Sequence, residues 1–151
     1  MDGKDSSQVW GGFRVANRAK IVSRHAELRF DNSIVLQAAH NGYKSLLGGC
    51  IHARKLILRE DSLAVSDMLQ GTYRYALSHF YFHPNLALTL ENNIFRVQGP
   101  HFILYSNLQG SVASIVDSFW YPEFGVEIPS KALQLNFQNS QLDTVFTWTN
   151  H

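Results

Sequence analysis

Chemistry in this chain could come from seven histidines, a single cysteine and a few carboxylates set inside apolar runs. His79 and His83 are four residues apart, the spacing that turns two ligands toward one metal on a helix. The surrounding run, Tyr75 to His83, alternates instead in the manner of a strand. There, residues i and i+4 share a face but stand about 13 Å apart, too far to hold one ion. No metal site is therefore expected from this pair. His40 precedes Asn41-Gly42, a turn dipeptide, so it is expected to end a strand at the surface and pack on the turn. His52 and Arg54 share a strand face with Cys50 and read as structural. Cys50 has no second cysteine to pair with. It follows Gly48-Gly49 in an apolar stretch and reads as a small buried hydrophobe rather than a nucleophile. Asp67 and Asp117 lie on presumed strands with no partner carboxylate visible in the sequence. There is no G-x-S-x-G, no glycine-rich phosphate loop and no H-x-H. The residues alone assign no catalytic group.

The elements that must position these side chains are strands. Ile34 to Ala39 is a short, mostly apolar run, as in a strand buried on both faces. Leu56 to Arg59 and Leu63 to Ser66 flank Glu60-Asp61-Ser62, and Leu86 to Leu90 and Ile94 to Val97 flank Glu91-Asn92-Asn93: two hairpins. Phe102 to Tyr105, Ser111 to Trp120, Gln134 to Phe137 and Thr144 to Trp148 complete the series. Pro122 and Pro129 bracket Glu123 to Ile128, which reads as an edge strand. Turn dipeptides recur at Asn41-Gly42, Gly48-Gly49, Gln70-Gly71, Gly99-Pro100 and Gln109-Gly110. This rhythm predicts an all-β fold, an antiparallel β-sandwich of two or more packed sheets, filling residues 1–151 as a single domain.

Bulk properties narrow the class. The chain has 151 residues, 45% hydrophobic, 13% aromatic and only 17% charged, with a net charge of +1. Few charges and many aromatics suit a β-rich chain. The charge balance excludes the basic footprint of a nucleic-acid binder. Arg54, Lys55 and Arg59 form a modest basic group that reads as a solvated face or edge. No stretch approaches the roughly 18 apolar residues of a membrane span. The N-terminus lacks the apolar core of a signal peptide. The compartment stays open on these grounds.

Four stretches resemble the heparinase II/III-like family, C-terminal region. Asp2 to Val15 is similar to the family's DG-x-D-x-S-x-x-W-G-x-F-R-V. Ala39-His40-Asn41-Gly42-Tyr43 is similar to its A-H-D-G-Y, with Asn41 in place of aspartate. Ile51-His52-Ala53-Arg54-Lys55 is similar to V-H-x-R and is followed by Val65-Ser66-Asp67 and Gly71. His83-Pro84 and Tyr121-Pro122-Glu123-Phe124-Gly125-Val126 complete the set. Each is weak alone; their order over essentially the whole chain is specific.

The resemblance implies bacterial polysaccharide lyases and relatives, some encoded with exopolysaccharide genes, in which a helical toroid precedes a C-terminal sandwich. Such enzymes cleave beside a uronate by β-elimination. The carboxylate must be neutralised while a base removes the neighbouring proton and an acid protonates the leaving oxygen. In the family, the helical domain supplies Asn, His and Tyr, and the sandwich adds a His from an H-x-H-x-D-like segment. None of these positions has a match here. The abrupt start leads to the expectation that residue 1 falls inside a longer gene and that the chain is inactive alone. The resemblance leaves His40, Asn41, Tyr43 and Arg54 as candidate substrate contacts on the rim of a cleft. It implies no cofactor in this chain, but zinc in some larger members. It implies a helical N-terminal domain and a polysaccharide such as a glycosaminoglycan as partners. A periplasmic or cell-envelope setting suits the larger protein. Truncation is expected to expose an edge near Trp10, Phe13 and Val15 and so allow self-association. A second reading is a non-catalytic carbohydrate-binding or structural module. Trp10, Tyr43, Trp120, Tyr121 and Trp148 could stack on sugars in that case, although most are expected to fill the core.

Overall fold

The computed structural model describes residues 1–11, 14–45 and 49–150. Gly12, Phe13 and Gly48 lie outside the described residues, as do the side chains of Val9 and Trp10, and with them the expectations placed on Phe13, Trp10 and the Gly48-Gly49 turn. Among the described residues every regular element is a strand, so the fold is all-β, and its sheets are antiparallel. Among the described residues no helix is long and apolar enough to cross a membrane. The chain divides into two compact units, Met1–Ala76 with Asn139–Asp143, and Leu77–Gln138 with Thr144–His151.

The first unit holds β1 (Gln8–Gly11), β2 (Arg14–Ala16), β3 (Ile21–Leu28), β4 (Ile34–Tyr43), β5 (Cys50–Leu58) and β6 (Ser62–Gln70). Strands β1 and β2 pair with each other, and β3 to β6 form a meander in chain order. The β5–β6 hairpin turns where Glu60-Asp61-Ser62 predicts, closed by the Arg59 amide donating to the Ser62 carbonyl at 2.8 Å. The β3–β4 turn is held by Asp31, whose Oδ1 accepts from the Ser33 amide at 3.0 Å and its hydroxyl at 2.6 Å. Strand β3 has no clear apolar run and escapes sequence reading; all eight of its residues are exposed, as suits an edge.

Two expectations are corrected in this unit. Strand β4 is not buried on both faces: Val35 is buried, but Ile34 and Leu36 are exposed. The basic group is not at an edge, because β5 lies between β4 and β6, and Arg54 and Lys55 point to opposite faces.

The second unit holds β7 (Leu77–Tyr81), β8 (Ala87–Glu91), β9 (Ile94–Gln98), β10 (Phe102–Asn107), β11 (Val112–Trp120), β12 (Ile128–Asn136) and most of β13 (Gln141–Asn150). Here the sandwich is plain. One sheet runs β13-β10-β9-β8 and the other β11-β12-β7. The Phe80 and Phe146 rings meet edge-on at 5.0 Å between them. Phe95, Val97, Leu133 and Leu135 are fully buried. The β8–β9 hairpin turns through Asn92 and Asn93, both at positive φ, the twist that a tight two-residue hairpin needs.

Glu123 to Glu127 is a loop, not the predicted edge strand. Val126 donates to the Glu123 carbonyl at 3.2 Å, and Gly125 sits at φ 80°. Pro129 lies within β12, opposite Phe119. The ladder to β7 stops at Ala132, so no β7 ladder bond is lost to the missing amide hydrogen. The aromatics also depart from expectation. Tyr43 and Trp148 are half-buried, while Trp120 and Tyr121 are exposed. Phenylalanines and aliphatic residues fill the core instead.

Candidate functional site

The polar side chains come together in the first unit. Strand β6 buries every second residue, Val65, Asp67 and Leu69, so one carboxylate sits among apolar neighbours. Arg54 stands directly opposite Asp67 across the β5–β6 ladder. Its Nε donates to Asp67 Oδ1 at 2.7 Å and its Nη2 to Oδ2 at 2.8 Å, a two-toothed pairing. His52, two residues along β5, places Nε2 2.6 Å from the same Oδ1. His40 stands opposite His52, with its Nε2 3.1 Å from His52 Nδ1. The Gly42 amide donates to His40 Nδ1 at 3.2 Å.

This row has one consistent proton assignment when the histidines are neutral. His40 Nδ1 accepts from Gly42, so the ring proton is on Nε2 and is donated to His52 Nδ1. His52 then carries its proton on Nε2 and donates it to Asp67. Burial alone would raise the Asp67 carboxyl. The hydrogen bonds from His52 and Arg54 and the guanidinium charge outweigh it and bring the pKa from 3.8 to about 2. Burial and the neighbouring His52 lower the pKa of His40.

Every histidine nitrogen in the row is engaged, so none is left to act as a base on a substrate. The row fixes geometry instead. It also does not converge on a point. Among the described residues no group of three His, Cys, Asp or Glu side chains is placed to hold a metal.

What the row fixes is the end of β4. The sequence predicts a turn at Asn41-Gly42, but β4 continues to Tyr43 through a bulge between His40 and Tyr43. The turn comes one step later, where the Lys44 amide donates to the Asn41 carbonyl at 3.0 Å. Of the four candidate contacts, His40 and Arg54 are thus committed to the row. The Tyr43 ring lies 5.7 Å from His40. Asn41 reaches a shallow cleft. Gly42 is needed at the bulge, because a Cβ there would stand 2.7 Å from Ser6 Cβ and 2.9 Å from Ala19 Cβ. Gly42→Ala should therefore cost about 1–3 kcal/mol through overpacking. Gly11→Ala, with open space around it, should be neutral or stabilising. Urea denaturation of both variants checks this.

His79 and His83 stay apart, as the strand spacing requires. His79 Nε2 lies 3.1 Å from Gln134 Oε1, and the His83 ring meets Trp120 at 5.2 Å. Cys50 is fully buried, and burial raises its thiol pKa. Sequence reasoning missed Asp67 as the centre of the site, although the signal was present. A hairpin that turns at Glu60-Asp61 pairs residue 54 with residue 67.

The fold is an antiparallel β-sandwich, and the polar residues of the first unit form a hydrogen-bonded row behind the end of β4. The chain belongs to the heparinase II/III-like, C-terminal family, whose model matches residues 1–149. Among solved structures, it is similar to a mutant of the heparan sulfate lyase HepC from Pedobacter heparinus, with a TM-score of 0.62, 14% identity and 89% of this chain covered. It is likewise similar to a heparinase III gene product, with a TM-score of 0.62, 12% identity and 89% coverage. The chain spans 22% of the length of each of these proteins. No curated protein matches it.

Proposed function

We propose that this chain is the C-terminal sandwich region of a polysaccharide lyase that cleaves a uronate-containing polymer by β-elimination. In this reading the chain supports the reaction without catalysing it, and a helical domain of the same protein supplies the reacting groups. The family match over residues 1–149 carries the reading. The small share of the similar lyases that this chain spans supports the inactive part of it. So does the site, in which each imidazole nitrogen is already bonded. Strand β3, exposed along its length, is the edge we propose for any strand addition by a second copy.

The expected result is that the purified chain yields no unsaturated uronate absorbance from heparin, heparan sulfate or alginate. The longer protein that carries it should yield that absorbance from a uronate polymer. Absorbance from the chain alone, persisting through repurification, overturns the inactive part. Silence of the longer protein on every uronate polymer overturns the lyase reading.

One observation favours the second reading, a carbohydrate-binding module without catalysis. Phe119, Trp120, Tyr121 and Phe124 are all exposed at the end of β11 and in the loop after it. Next to them is a cleft of about 700 Å³ with His83, Leu88 and Phe119 in its wall and the Asp117–Lys131 ion pair beside them. Apolar ring faces beside polar groups suit a sugar. Tight binding of a neutral polysaccharide by the chain, lost in Trp120→Ala, would favour this reading.

A further inference from the structure

The bulge that the buried row holds in place forms one wall of a shallow cleft of about 450 Å³. Asn17, Arg18, Lys20, Asn41, Lys44 and Ser45 line it, with Gly42 at the bulge. Three of these side chains are cationic, and no carboxylate is among them. Among the described residues, none of the three cations is in an ion pair, whereas Arg29, Arg54 and Lys131 each hold a carboxylate. In a chain of net charge +1, this is a local concentration of unneutralised positive charge.

The backbone beneath the charges is pinned. The Lys20 amide donates to Asn41 Oδ1 at 3.1 Å, and the Asn41 amide donates to the Lys20 carbonyl at 3.1 Å. The Ala19 amide donates to Ser7 Oγ at 3.0 Å, and Asn17 Nδ2 donates to Gln8 Oε1 at 2.9 Å. Behind Gly42 stands the row from His40 to Asp67. The segment bearing Arg18 and Lys20 is thus fixed against the segment bearing Lys44. Only the cationic side chains must order when an anion arrives, which keeps the entropic cost of binding low.

We infer that this cleft binds the sulfate or carboxylate groups of an anionic polysaccharide. The inference rests on the lyase reading and deepens it, by assigning a polymer-holding surface on the sandwich. Arginine and lysine donate charge-assisted hydrogen bonds to such oxygens. The Asn17 amide and Ser45 hydroxyl add neutral partners for sugar hydroxyls. Three cations suit a short anionic stretch of saccharide, not the long basic stripe that a nucleic acid needs.

The test is fluorescence anisotropy with a labelled heparan sulfate oligosaccharide and the full chain at several salt concentrations. Arg18→Glu/Lys44→Glu should weaken binding about tenfold or more, since two charge-assisted contacts become repulsions. The control Arg59→Glu/Arg74→Glu, at two exposed positions that line neither cleft and with the same change in net charge, should bind within about twofold of the parent chain. Circular dichroism melts confirm that both variants fold. Equal weakening by the two double variants, equal affinity for a neutral dextran, or tighter binding of single-stranded DNA each overturns the inference. Its failure is distinct from failure of the lyase reading. Salt-sensitive binding lost in the cleft variant stands even if the longer protein cleaves no uronate polymer. Cleavage by the longer protein stands even if the cleft variant binds normally.

Discussion

Replacing Asp67 with alanine should cost about 3–5 kcal/mol of folding stability, the range for removing one partner of a buried ion pair. The carboxylate is 1% exposed and receives hydrogen bonds from Arg54 Nε, Arg54 Nη2 and His52 Nε2. Truncation removes the carboxylate from a guanidinium that is 35% exposed and an imidazole that is 20% exposed. Against a typical total of about 5–15 kcal/mol, that loss is a large fraction. Asp67→Asn keeps the shape and should cost less. Adding Arg54→Met to Asp67→Ala should recover part of the loss, because the guanidinium that has lost this carboxylate is then removed. Chemical denaturation followed by circular dichroism measures all three. A loss under about 1 kcal/mol for Asp67→Ala would show that water solvates the pair, against its burial.

The same pairing sets the direction of the pH dependence. The Asp67 pKa is lowered on folding from 3.8 to about 2. Its contribution is therefore complete above pH 3.8 and disappears as the pH falls through about 2. His40 is also lowered, from 6.5, so the stability linked to its neutral form is present above pH 6.5 and is lost as the pH falls through its lower folded value. Burial of the ring is the main reason, the neighbouring His52 adds to it, and the geometry acts in the same direction. A second ring proton on His40 would sit on Nδ1, facing the Gly42 amide hydrogen, donor against donor. In Asp67→Ala the acid step should shrink, the part owed to Asp2, Glu27, Asp31 and Asp117 remaining, while the step below neutrality is kept.

The sandwich was legible because its strands are short and half-buried and its turns are chemically marked. Asn92-Asn93 and Glu60-Asp61 close the hairpins they predict. Pattern misled wherever an element's partner mattered more than its own residues. Strand β3 carries Ser23, Arg24, His25 and Glu27, which look like loop residues until β4 supplies a ladder. Pro129 reads as a strand breaker unless the limit of the β7 ladder is known. The site was half legible. Arg54 opposite Asp67 follows from a hairpin turning at residues 60 and 61. His40 opposite His52 does not, because the bulge at Asn41-Gly42 shifts the register by one: His40 pairs with His52, but Tyr43 pairs with Cys50. The bulge looks like a turn in sequence, since glycine serves both. Only the approach of Ser6 and Ala19 separates the two uses.

The other large effect belongs to the second unit, at two residues that face one another. Phe95 on β9 and Ser106 on β10 are opposite in register and both buried, at 0% and 2% exposure. Phe95 packs its ring 5.4 Å from Phe82. Phe95→Ala removes a whole ring from between two sheets whose backbones are tied by ladders and cannot close the gap. The expected cost is about 3–5 kcal/mol, combining lost transfer energy with a cavity. Ser106 should behave in the opposite way. Its hydroxyl is buried with no hydrogen-bond partner among the described residues, so it is desolvated without return. Ser106→Ala removes that oxygen while keeping the volume nearly constant and should stabilise the chain by about 1 kcal/mol. Both follow from denaturation midpoints at constant slope. A destabilising Ser106→Ala would mean that the hydroxyl has a partner, such as an ordered water in the sheet. A cost near zero for Phe95→Ala would mean that Phe82 collapses into the vacated space, and the sandwich core would then be looser than its burial indicates.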